Sequence, residues 1–159
     1  MIKPINNFPY QYKKVNLPKG LIYNVSNKNL YNLVDTKNGV KVGKMFAYVD
    51  KDYHLLYKKF PYLDVFYIDL LEIKKTERNK GWGKYLIDFV KKESYSKKCE
   101  GRVTLEAYNP DKPPHLFYKK LGFQTAFKEE NQEMDECIKL GKNFRICDIL
   151  PMFLPENKY

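Results

Sequence analysis

Residues Val65 to Ile73 read VFYIDLLEI, and after Lys74 to Glu77 the chain continues Arg78-Asn79-Lys80-Gly81-Trp82-Gly83-Lys84. The first stretch places apolar residues on both alternating faces, the pattern of a central strand covered on both sides, and Asp69 interrupts it. From Gly81 the period changes. Trp82, Tyr85, Leu86, Phe89 and Val90 fall at helical spacing with Lys84, Asp88, Lys91 and Lys92 off the stripe, which predicts a helix of about four to five turns ending near Lys97. Arg102 to Tyr108 (RVTLEAY) reads as the next strand. Strand, helix, strand is a βαβ unit, so the two strands are expected to be parallel with a right-handed crossover, in an α/β (α+β) fold.

Working outward, Leu30 to Val49 carries two apolar runs around Asp35-Thr36-Lys37-Asn38-Gly39, whose Asn-Gly pair suits a hairpin turn. Residues 1–29 hold Pro4, Pro9, Pro18 and Gly20 and read as an irregular N-terminal arm with one short strand near Leu21 to Val25. Beyond RVTLEAY, Pro113-Pro114 opens a short helix with Leu116, Phe117 and Leu121, stopped by Gly122. Phe123 to Phe127 and Asn143 to Asp148 read as paired strands. Glu129, Glu130, Glu133, Asp135 and Glu136 form an acidic loop between them, and His115 reads as a surface residue at a helix start.

With 159 residues the chain fits a single domain, residues 1–159, able to bury roughly two-thirds of its unfolded surface. The net charge of +10 invites a nucleic-acid reading, but 26 of the 29 cations are Lys and only Arg78, Arg102 and Arg145 are Arg. Base readout and bidentate phosphate clamps use Arg, so a solvated Lys surface is favoured and a nucleic-acid partner is not. Cys99, Cys137 and Cys147 form no metal-ligand pattern with each other or with His54 and His115, which points to free thiols in a reducing cytoplasm and to no metal. No signal-peptide core and no apolar run of spanning length occurs, so no membrane is expected.

The segment from Arg78 to Lys84 lies between a strand end and a helix start, where glycines and unpaired amides suit an anion. It is not a Walker A loop, since Tyr85 follows Lys84 and Arg78 stands where the first glycine belongs. It is not a dinucleotide fingerprint either, because Leu86 occupies the third glycine's place. It does match R/Q-x-x-G-x-G/A. Leu71-Glu72-Ile73 upstream is similar to an L-x-V strand end, and Phe117-Tyr118-Lys119-Lys120-Leu121-Gly122-Phe123 downstream to F-Y-x-x-L-G-F. In order and spacing the three resemble the GNAT superfamily of acetyl-CoA-dependent N-acyltransferases, closely over Val65 to Phe127, loosely over the hairpin and C-terminal strands, and not over the first thirty residues.

The resemblance implies a single GNAT-type domain, a mixed twisted sheet with a central parallel strand pair and flanking helices. It also implies acetyl-CoA as cosubstrate. The backbone around Asn79, Lys80, Gly81, Trp82, Gly83 and Lys84 would hold the pyrophosphate, with Arg78 closing the loop. Leu71, Glu72 and Ile73 would pair with pantetheine, the Leu71 amide serving the oxyanion, while Asn109 and Lys119 would contact pantetheine or the adenosine 3′-phosphate. Tyr118 would donate its O–H to the departing sulfur. An amine acceptor must first lose a proton, and Glu106, twelve residues before Tyr118 as in members that acetylate protein N-termini, is the favoured base. Asp69 is its rival, sharing a strand face with Leu71 and Ile73, and Glu72 or a water chain remains.

The activity so implied is direct acetyl transfer to a primary amine of a small molecule or protein, by a monomer or homodimer. Alternatives are an RNA-directed (aminoacyl-tRNA) acetyltransferase of toxin type, a module that binds nucleic acid alone, and a non-catalytic CoA-binding interaction protein. The chain departs from the family in one respect: the segment between Val25 and Leu30 is too short for the two helices that usually follow the first strand and wall the acceptor site.

Overall fold

The computed structural model describes residues 20–25, 29–53, 63–108, 114–144 and 149–155. Six strands form one sheet in chain order: β1 (Gly20–Asn24), β2 (Leu30–Asp35), β3 (Val40–Tyr53), β4 (Leu63–Ile73), β5 (Val103–Ala107) and β6 (Leu150–Phe153). Only β4 and β5 run parallel. The connection between them is α1 (Trp82–Ser96), as the change of period predicts. Two shorter helices follow β5, α2 (His115–Lys120) and α3 (Lys128–Leu140).

Val25 N–H donates to Leu30 O at 2.8 Å, so the pairing of β1 with β2 extends to the residues that flank 26–28, which lie outside the described part. The next turn is built by its own side chains. Asp35 Oδ1 accepts from Lys37 N–H and Asn38 Oδ1 from Val40 N–H, both at 2.9 Å, while Gly39 takes the positive φ of 71°.

The main core joins Met45, Phe66, Ile68 and Leu105 of the sheet to Ile87 and Val90 of α1, Met134 of α3 and Phe123. All the described helices therefore pack on one side of the sheet. Tyr31 crosses that layer, its hydroxyl donating to Glu93 Oε2 at 2.9 Å; burial and this carboxylate raise its pKa far above the tyrosine value. On β4, coverage of both faces holds only for the first half: Val65, Phe66 and Ile68 are buried, whereas Asp69, Leu70 and Glu72 are exposed.

The C-terminal third differs from the sequence reading. Phe123 to Phe127 is not a strand; Gln124 makes one bridge to Phe153, after which the chain leaves the sheet. Asn131 turns it, its Oδ1 accepting from Thr125 N–H and its Nδ2 donating to Thr125 O. The acidic stretch is consequently α3 and not a loop. Met134, Cys137 and Ile138 supply its inward stripe, and Glu129 and Glu130 sit in the first turn, where the helix dipole favours negative charge. The expected partner strand, Asn143 to Asp148, lies mostly outside the described residues. Phe144 is buried, residues 145–148 lie outside the described part, and β6 takes the place beside β5. His115 is wholly buried, its ring 5.7 Å from that of Phe144 beyond α3, so it is not the expected surface residue.

Candidate active site

The parallel ladder is short. Phe66, Tyr67 and Ile68 pair with Val103, Thr104 and Leu105, and there the pairing ends. β4 runs on to Ile73 along β3, with Leu70, Leu71, Glu72 and Ile73 opposite Phe46, Met45, Lys44 and Gly43. β5 turns its other edge to β6, with Glu106 opposite Pro151. The facing edges of residues 69–73 and 106–107 are thus split apart, and a split edge is an unfilled template for another extended chain.

A bulge creates this geometry. Ala47 pairs with Ile68 and Phe46 with Leu70, so Asp69 is the extra residue. The bulge corrects one expectation. By unbroken alternation Asp69 would share a face with Leu71 and Ile73; with the extra residue, Leu71 and Ile73 join Ile68 on the helix side and pack into the core, while Asp69 is exposed.

The loop after β4 folds back onto the split. Arg78 Nε donates to Ile73 O at 3.0 Å, fixing the loop to the strand end. Asn79 (φ 62°) and Gly81 (φ 90°) reverse the backbone into α1. The first N-terminal hydrogen bond of α1 runs from Tyr85 N–H to Gly81 O, so the amides of Trp82, Gly83 and Lys84 have no helical acceptor. Lys80 and Lys84 flank them, held loosely by Glu77 at 3.6 Å and Asp88 at 3.4 Å. Free amides, the positive end of α1 and two exposed cations together fit a pyrophosphate, and the open edge of β4 fits an amide-bearing arm.

α2 is brought against this loop by its aromatic face. A Cβ on Gly83 would stand 2.6 Å from Phe117 Cζ, so Gly83 is what lets the ring approach α1. Tyr118 follows, its ring 5.3 Å from Phe117 and 5.7 Å from Phe123, on the helix side of the sheet. Burial pushes its hydroxyl up to about 12, and that hydroxyl makes no hydrogen bond among the described residues.

The opposite face of the sheet is different. Tyr48 and Tyr67 pair across β3 and β4 with ring centroids 5.6 Å apart. Burial first, then the charges of Asp69, Asp50 and Glu106, raise the pKa of Tyr48 above the tyrosine value. None of the three carboxylates makes an ion pair among the described residues. Asp69 and Glu106 each stand one residue beyond the last paired positions, at the mouth of the split.

The sequence profile of the acetyltransferase (GNAT) family matches residues 5–123. The chain belongs to this family. Among solved structures of similar fold are AtaT complexed with acetyl-methionyl-tRNAfMet (17% identity over 79% of this chain and 69% of that one, TM-score 0.53) and a Bacillus subtilis N-acetyltransferase, YlbP, in complex with coenzyme A (15%, 79% and 66%, 0.52). The NatC complex bound to Gag peptide and CoA is another (19%, 80% and 71%, 0.52). At these identities the likeness is one of fold, and the chain spans about two-thirds of the length of the first structures it matches, 65% and 66%. No curated protein sequence matches it.

In this GNAT-family chain the expected residues fall into two groups. Leu71, Ile73, Arg78, Asn79, Lys80, Gly81, Gly83 and Lys84 gather along the split and its loop, with Tyr118 carried on the adjoining helix; Asp69 and Glu106 line the far side. Three others are engaged elsewhere. The Trp82 side chain is core, 3% exposed beside Leu33 and Leu86, so only its amide faces the loop. Glu72 faces Lys44 at 3.7 Å on the side away from the described helices, and Lys119 Nζ is held by Asp135 at 2.8 Å. Asn109 lies outside the described residues. Sequence reasoning missed Tyr48 and Asp50. Alternation along the second hairpin strand puts them on one face, but nothing local says that this face meets Asp69 and Glu106.

Proposed function

We propose that the chain is an acetyl-CoA-dependent N-acetyltransferase that moves an acetyl group directly to a primary amine. The observation that carries this reading is the split after Ile68 and Leu105, with an amide-rich loop at its end, a protonated tyrosine on one side and unpaired carboxylates on the other. Acetyl-CoA supplies an activated acetyl thioester. The amides of Trp82, Gly83 and Lys84 hold its pyrophosphate, and the free edge at Leu71 to Ile73 orients its arm and offers N–H groups to the carbonyl oxygen.

Acid and base then act from opposite faces. Tyr118, with a pKa of about 12, keeps its proton at neutral pH. An alkyl thiol has a pKa of roughly 8.5, so the tyrosine steadies a departing thiolate by donating a hydrogen bond and does not surrender the proton outright. On the other face, Glu106 or Asp69 takes the proton from the incoming ammonium, whose pKa near 10.4 would otherwise keep it unreactive. The same carboxylates oppose docking of a polyanion at this mouth, so the net basic charge gives an RNA acceptor no support from the site itself. A thiol-release assay with acetyl-CoA and a panel of amines tests the reading. Release with at least one amine, together with a rise in melting temperature on adding CoA, is expected; neither response from any pairing would refute it.

A further inference from the structure

The three carboxylates of the face turned away from the described helices are spread along it and do not converge. Asp50 pairs with Val65, four residues before Asp69 on β4, so at ~3.3 Å per residue their backbones stand roughly 13 Å apart along the strand, less the bulge. Among the described residues no three acidic, His or Cys groups come close enough to hold a metal ion. Between the two ends lies the Tyr48–Tyr67 ring pair, with Tyr48 36% exposed. Phe46 and Leu70, opposite each other and both 38% exposed, continue an apolar surface on the same face. Beside Tyr67 on this face, Thr104 Oγ1 is fully buried without a hydrogen-bond partner. This hydroxyl, able to donate or accept, lies two residues before Glu106. In a chain of net charge +10, this concentration of unpaired negative charge around aromatic rings is the exception.

We propose that the acceptor is an aliphatic amine carrying a second positive charge. Its reacting nitrogen sits at Asp69 and Glu106, its alkyl chain crosses Tyr48, and its distal cation is held near Asp50. The inference rests on the acetyl-transfer reading above and adds the class of amine. The physical terms are attraction of a cation to unpaired carboxylates and to the electron-rich ring face, together with burial of methylenes against an exposed apolar surface. A monoamine of the same length keeps the last term and loses the distal charge.

Cadaverine and n-pentylamine make that comparison, since they share a carbon chain and differ in one amino group. With acetyl-CoA saturating, kcat/KM for cadaverine is expected to exceed that for n-pentylamine by about five- to tenfold at low salt, and the advantage to shrink as ionic strength rises. Asp50→Asn should bring the ratio toward two, the statistical factor for the two equivalent amines of cadaverine. Asp50→Lys should invert it and favour an amine whose far end is a carboxylate. Calorimetric binding of spermidine without acetyl-CoA, weakened in Asp50→Asn, gives a readout independent of turnover. A kcat/KM ratio for the two amines no greater than that statistical factor in the wild-type protein, or a preference untouched by both Asp50 variants, overturns the proposal while leaving acetyl transfer standing. Absence of thiol release from any amine would instead overturn the transferase reading.

Discussion

The two faces of the sheet have been given opposite chemistry by one extra residue. On the helix side, Ile68, Leu71 and Ile73 run in series into the core and Tyr118 keeps its proton through burial. On the other side, Tyr48, Asp69 and Glu106 are exposed and Asp50 is half-buried, and burial together with the three carboxylates keeps the Tyr48 hydroxyl neutral. Had β4 kept strict alternation, Leu71 and Ile73 would have faced solvent; the bulge at Asp69 prevents this and also ends the pairing with β5. In the proposed reaction, this separation would keep a buried proton donor and an exposed proton acceptor from neutralising each other.

The sharpest way to break this contrast is at Tyr118. Tyr118→Phe should lower thiol release by about 10²–10³-fold while shifting the melting temperature little, because the hydroxyl has no partner to lose among the described residues. A variant that kept more than half the rate would strip the helix side of its chemical role. The raised pKa adds a further check: wild-type activity should show no loss from deprotonation of Tyr118 below about pH 10, with losses arriving toward 12.

The next test takes the other face. Glu106→Gln and Asp69→Asn should each reduce the rate, the true base by about 10²-fold with the deficit narrowing as pH rises and the amine deprotonates by itself. If Glu106→Gln is fully active across pH and Asp69→Asn is not, the bulge residue is the base. If both are fully active, the hydrated face serves only to attract the amine.

Much of this was legible in the sequence, and the remainder was hidden for definable reasons. The central strand, the period change at Gly81 and the Asn-Gly turn are local signals, and each became the expected element. The bulge is not local. Asp69 looks like one polar interruption in VFYIDLLEI, and only the register against Ala47 and Phe46 shows that it adds a residue and moves Leu71 to the other face. In α3 the acidic composition masked a helical stripe of Met134, Cys137 and Ile138. Gly83 was read for its closeness to a ligand, whereas its nearest neighbour is the Phe117 ring. Gly83→Ala should therefore cost about 1–3 kcal/mol by overpacking, and adding Phe117→Leu should recover most of it. Recovery of stability without recovery of CoA binding would show that the glycine serves both purposes.

The smallest expected effect decides what Lys119 does. Its side chain is 11% exposed and its ammonium is held by Asp135 at 2.8 Å, joining α2, which carries Tyr118, to α3. If this bridge only braces α2, Lys119→Ala and Asp135→Ala should cost similar stability, within about 1 kcal/mol, and the double variant little more than either alone. If the lysine also serves the cofactor's phosphate, the two single variants part company. Lys119→Ala would raise the KM for acetyl-CoA, while Asp135→Ala, which frees the ammonium, would leave it unchanged or lower it. The residue nearest the tyrosine would then join the anion-binding end of the helix side, a role its present ion pair conceals.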